Sequence, residues 1–241
     1  MLSQKLLGAT AAPAPAGNIQ YVGGHVEGFA GTTSNVTIFI DDLLGGLASA
    51  PAAGDLVIVY FGTGSTVDRN LVVSGYDEVV ELYSNDSEDT NLVVAYKFMG
   101  GTPDVSFTLT GGTLSTADAG AVAVQVWRGV SEFIPFDVNR TTWTGTNGIF
   151  CDPPAITPVT PGSVIVAGGA GAHNDSTLRT FSSSDLTGFI SSGRGGSNAV
   201  AIGLGYHVWT SGSFNPAQFT FSGANSLAFS WAAVTLALRP A

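Results

Sequence analysis

Two stretches of this sequence open alike. GDLVIVYFGTG begins at Gly54, and GSVIVAGGAGA begins at Gly162. Each is a glycine and a small polar residue followed by a nearly unbroken apolar run, which suits a central strand covered on both faces. The echo continues along the chain. NLVVAYKFM is answered by NAVAIGLGYHVW, VSFTLTGG by AQFTFSGA, and GAVAVQVWRG by WAAVTLALRP, in the same order and about 110 residues later. The matches set Tyr96 and Lys97 against Tyr206 and His207, and Arg128 against Arg239. A period this long is not that of a solenoid. It predicts two similar β-halves, at about 54–130 and 162–241.

Within the matched stretches, residues alternate with period two. In AVAIGLGYHVW, Val200, Ile202, Leu204 and Tyr206 share one parity, and Ala201, Gly203, Gly205, His207 and Trp209 share the other. Large residues on one face and small ones on the other mean that one face fills a core while the second meets something close. Only 11% of the residues are charged and 32 are glycine. That composition fits strands and turns, not a helical bundle. The expected fold is all-β: a jelly-roll-like antiparallel β-sandwich built from two pseudo-repeated halves, one domain over residues 18–241. Residues 131–161, rich in proline, read as a crossover between the halves, with one candidate strand at RTTWTG. Residues 1–17 have no periodicity and several Ala-Pro steps, and read as an extended N-terminal arm. The apolar stretch LLGATAA is too short for a good signal-peptide core, so no cleavage is expected.

Charge excludes some partners. The formal net charge is −10 with only eight Lys and Arg. No basic stripe is available to neutralise phosphates, so nucleic acid and anionic membrane surfaces are not expected partners. No apolar run is long enough for a transmembrane helix, so membrane insertion is not expected. The lone Cys151 rules out a disulfide within one chain, and IFCDPPA offers it no electropositive setting.

Candidate chemistry is sparse. There is no Walker loop, nucleophile elbow, CxxC or HExxH. GRGGSNA precedes a strand and reads as a turn. His25 and Glu27 share a strand face, but zinc would need further ligands. His173 and His207 lie apart in sequence, and His207 reads as a solvent-side strand position. Asp77, Glu78 and Glu81 form one carboxylate group, read as lying at a strand junction, and Asp86, Glu88 and Asp89 form another in a polar loop. The second group could offer oxygen ligands to Ca²⁺ without the spacing of an EF-hand, and Glu78 or Glu81 could serve a glycosidase. Solvated acidic surface is the plainer account of both, and no cofactor or catalytic residue is expected. Trp127, Trp143, Trp209 and Trp231 lie in or near the expected strands. Of the aromatic residues, Trp143, Trp209 and Tyr206, with His207, are the candidates for glycan or subunit contact, because flat rings stack on sugars and anchor interfaces.

Several stretches quoted above, LASAPAAGDLVIVYFGTG, NLVVAYKFMGGTPDVSFTL, AVAVQVWRGV and ITPVTPGSVIVAGGAGAH, resemble a group of β-rich proteins encoded by tailed bacteriophages and prophages. The resemblance runs over most of residues 22–241 and carries no catalytic motif. It implies a non-enzymatic virion structural protein on the particle surface: a capsid decoration or head fibre, or a tail component. It implies other virion proteins as partners and a homo-oligomer, commonly a trimer, anchored through the arm or a sheet face. The alternative is a carbohydrate-binding module contacting host surface glycans.

Overall fold

The computed structural model describes residues 18–31, 35–85, 89–111, 116, 118–148, 150–174, 176–222 and 229–241. The expected N-terminal arm lies outside them. Every strand ladder is antiparallel, and no residue among those described is helical. The first half holds β1 (Gln20–Phe29), β2 (Val36–Phe39), β3 (Leu56–Ser65), β4 (Leu71–Val73), β5 (Asp77–Tyr83), β6 (Asp89–Phe98), β7 (Ser106–Gly111) and β8 (Gly120–Arg128). The second holds β9 (Thr141–Gly148), β10 (Phe150–Cys151), β11 (Val164–His173), β12 (Phe181–Ser182), β13 (Thr187–Arg194), β14 (Ala199–Val208), β15 (Phe219–Phe221) and β16 (Phe229–Leu238).

The two halves have one topology. In the first, a large sheet runs β1-β8-β3-β6-β5 and a small one β2-β7-β4. In the second, the large sheet runs β9-β16-β11-β14-β13 and the small one β10-β15-β12. Adding eight to every label of the first half gives the second. Each half is thus an eight-stranded double-sheet jelly roll. The duplicated phrases are its central strands, β3 and β11, and the glycines that precede them take the same left-handed turn, with φ of +80° at Gly54 and +86° at Gly162. Ladder register confirms the residue matches. Ile58 pairs with Tyr96 as Val166 pairs with Tyr206, so Tyr96 and Tyr206 are counterparts.

The structure departs from the sequence reading in how the layers are built. A single two-layer sandwich was the expectation. Instead each half is its own sandwich, and the large sheets pack face to face, giving four layers. Val57, Val59 and Phe61 of β3 point inward to Ile38, Leu71 and Leu109 of the small sheet. Leu56, Ile58 and Tyr60 point the other way, toward Val166, Ile202, Leu204 and Val234 of the second half. Residues 131–161 are not a bare crossover, because they supply β9 and β10, just as β1 and β2 precede β3.

The facing of the large sheets is self-complementary. β1 packs on β13, β8 on β14, β3 on β11 and β6 on β16. Since β9 corresponds to β1 and β13 to β5, the halves meet as two subunits of a two-fold dimer would. The small residues of β14 now have a cause. An added Cβ at Gly203 would lie 2.7 Å from the Phe189 ring, and one at Gly205 2.8 Å from it. The second inner core is therefore filled by Phe181, Phe219 and Phe221 from the small sheet rather than by large residues on β11 and β14.

Candidate functional site

The four aromatic and histidine candidates do not form one site. Tyr206 faces the interior between the halves, where its ring lies 5.1 Å from Tyr21 and 4.9 Å from Trp127. Burial raises the Tyr206 hydroxyl above its ordinary pKa; burial, then the nearby Tyr206, pushes Tyr21 up to about 12. Both therefore stay neutral. His207, next along β14, points to the opposite face and stacks on Phe214, with centroids 4.0 Å apart and planes 10° from parallel. Its ring is half-buried beneath that stack. Trp209 packs in the same small cluster, beside Ile156, Ile165 and Ala237. Its indole N–H donates to the Gly212 carbonyl at 2.8 Å. Trp143 stands apart on β9, separated from β14 by β16 and β11. It is 56% exposed and leans on Trp231 at 6.4 Å. Of the four, Trp143 alone offers a free ring face.

The carboxylates are dispersed too. Asp77 and Glu78 belong to β5 rather than to the turn before it, which is formed by residues 74–76. Glu78 and Glu81 share one face of β5, opposite Ala95 and Val93. Burial raises the Glu81 pKa, and the charges of Glu78 and Asp68 add to that, against the Leu71 amide, which donates to Glu81 at 2.6 Å. Glu81 thus ties β4 to β5. Asp86 and Glu88 lie outside the described residues. Asp89 is buried in β6 and accepts the Tyr83 hydroxyl, so it does not face the loop where Ca²⁺ was considered. His25 sits 3.0 Å from Asp42 and 3.7 Å from Glu27. Among the described residues, no group of three or more His, Cys, Asp and Glu is arranged to hold a metal ion. Cys151 is buried below Gly169, and burial, then Asp152, raises its thiol pKa well above normal. It stays a thiol and fills space.

The sequence reading missed one end of the body. There Phe133 is 99% exposed and Ile134 53%. Phe133 lines a cleft of about 440 Å³ with Gly54, Gly129, Val130, Glu132 and the C-terminal Ala241. Gly129, with φ of +79°, lies against Asn18, so the chain enters the body beside this cleft. The signal was present in SEFIPF, an apolar pair in a proline-bearing loop with no strand alternation to bury it.

These features define an all-β body of two stacked jelly rolls with large apolar side chains left exposed in a few places. Compared with known protein families, curated proteins and solved structures, the chain matches none.

Proposed function

We propose that this chain is a non-enzymatic structural protein of a tailed-bacteriophage particle. It is displayed on the particle surface, as a capsid decoration, head fibre or tail component. It is held by its N-terminal arm together with the end of the body from which the arm leaves. The observation that carries the reading is the meeting of Phe133, Ile134 and the 440 Å³ cleft with Asn18 at one end. A phenylalanine left fully exposed, with Ile134 exposed beside it and a cleft at its foot, marks a place that a partner covers. Jelly rolls recur in capsid and lectin domains, which supports the same reading by fold alone.

A second reading, a carbohydrate-binding module, rests on the free ring face of Trp143. One experiment separates the two. Particles are assembled with the whole chain, with residues 1–17 deleted, or with Phe133→Ser, and incorporation is measured beside the far-UV spectrum of each purified protein. The truncated and Phe133→Ser proteins are expected to fold normally and to be lost from particles. Normal incorporation of both overturns the reading. Glycan-array binding abolished by Trp143→Ala would put the second reading in its place.

A further inference from the structure

We propose that the cleft between β1 and β13 binds a sugar residue bearing one anionic group, a carboxylate or a phosphate, through Arg194. The cleft has a volume of about 500 Å³ and is lined by Gly28, Ser176, Leu178, Ser192 and Arg194. It lies between the two halves, a common place for a ligand site. Ile190 packs on the first half at Gly24, and Ser192 and Arg194 follow it at period two, so all three share the face of β13 that meets β1. The walls approach closely. An added Cβ at Gly28 would run into the Gly193 carbonyl, and one at Gly195 into that of Ser176. Backbone therefore forms much of the cleft, and Ser176 and Ser192 bring hydroxyls to it.

Arg194 is a cation without a partner. Arg69, Lys97 and Arg128 each meet a carboxylate at 2.6 to 2.8 Å. Arg239 lends its charge to Asp137, and Arg140 shares its own cleft with that residue. The Arg179 guanidinium donates to the Ser222 carbonyl at 2.9 Å. Arg194 is exposed and meets no carboxylate among the described residues. No residue lining the cleft is acidic. Glu27, next to Gly28, points from the other face of β1 and lies 3.7 Å from His25. In a chain of net charge −10, the cleft is thus a locally positive place. A guanidinium forks onto a carboxylate or phosphate with two parallel hydrogen bonds. Hydroxyls in the same cleft suit the hydroxyl groups of a sugar. One arginine neutralises one charge, so a polyanion such as nucleic acid does not fit.

The cleft stands away from the Phe133 end. Gly28 pairs with Ala121, and Ala121 with Gly62 toward the end of β3, whereas the Phe133 cleft borders Gly54, before β3 begins. A chain held by the Phe133 end keeps this cleft open. The inference does not depend on the particle reading, since it concerns the chain alone in solution.

An NMR titration of the full chain tests it, with glucuronate, glucose-6-phosphate and glucose as probes. At least one of the two anions is expected to move the amide signals of Ser192, Arg194 and Gly195 to saturation, and glucose is not. The anion that saturates at lower concentration distinguishes carboxylate from phosphate. Arg194→Gln changes one exposed side chain; it is expected to leave the rest of the spectrum in place and to weaken binding about tenfold or more. Arg194→Lys keeps the charge and loses the fork, and is expected to bind with intermediate strength. Arg140→Gln is expected to bind as wild type does. No saturable shift with either anion, equal binding of glucose, anion binding that survives Arg194→Gln, or binding lost in Arg140→Gln would each overturn the proposal.

Discussion

At Gly62 the two halves come closer than a side chain would allow. An added Cβ there would lie 2.6 Å from the Cβ of Ala170. Leu56 and Val164 open equivalent strands, so Ala170 is the counterpart of Gly62, and their contact marks the pseudo-two-fold axis. Beside it the symmetry is broken in a complementary way. Tyr60 is large and its counterpart Gly168 has no side chain: a Cβ at Gly168 would lie 2.8 Å from the Tyr60 ring. The Tyr60 hydroxyl, kept protonated by burial, donates to the Val234 carbonyl at 3.1 Å across the interface. Gly62→Ala is therefore expected to destabilise by overpacking, by about 1–3 kcal/mol. The measurement is a lower urea midpoint at unchanged slope. Gly100, where nothing lies within 4 Å, is the control, and Gly100→Ala is expected to stay within about 0.5 kcal/mol. Equal effects at both positions would remove the account from close contact.

At the scale of elements, one carboxylate ties together two parts of the stretch between the halves. Asp137 accepts the Val159 amide at 2.6 Å and the Thr160 amide at 2.9 Å, which fixes the loop before β11 against the segment before β9. Burial alone would raise its pKa, but the hydrogen bonds from Thr160 and Val159, with the charge of Arg239, hold it below the ordinary carboxylate range. A carboxyl whose folded pKa is depressed contributes stability in full above its unfolded pKa, and loses it as pH falls through the folded value. Asp137→Asn is expected to lower stability at neutral pH and to flatten the acid limb of the stability profile. An acid limb identical to wild type would show that Asp137 is not its source. The elements themselves were legible where apolar residues run unbroken or alternate cleanly: β3, β6, β8, β11, β14 and β16. β13 was not, since TGFISSGR interrupts its apolar residues with Gly188, Ser191, Ser192 and Gly193: Gly188 packs closely on the Tyr206 ring and Gly193 on the Arg179 carbonyl, while the Ser191 hydroxyl accepts the Phe181 amide and donates to the Ile202 carbonyl. β9 could be seen as a strand, but its threonines carry no sign of the sheet it completes. Among the candidate site residues, aromatic identity marked Trp143, Trp209 and Tyr206 alike. Their depth depends on Phe214, Tyr21 and Trp127, which come from distant parts of the chain.

For the whole molecule the question is whether the two jelly rolls are two bodies or one. Each has its own inner core, which would permit separate unfolding. Against that stands the shared interior, where Ile58, Leu92 and Val94 of one half meet Val166, Ile202 and Leu236 of the other. Polar clips join the halves as well. The Thr90 hydroxyl donates to the Ser230 carbonyl and accepts the Ala172 amide, both at 2.7 Å. Asn198 donates to Asp118 at 2.7 Å, and the Ala119 amide to the Asn198 carbonyl at 2.9 Å. Asp118, almost wholly buried, is also 2.6 Å from the Arg69 guanidinium. Separation would expose the large apolar face of both halves at about 25 cal/mol per Å² and strip these groups of their partners. Neither half is then stable without the other, and unfolding is expected as a single transition with equal calorimetric and van't Hoff enthalpies. Asp118→Ala sharpens the test. Loss of one partner from a buried pair costs about 3–5 kcal/mol, and in one cooperative body that cost lowers the whole transition. Were the halves independent, the variant would instead split the trace, leaving a second transition at the wild-type temperature, and the shared interior would have to be judged too weak to couple them.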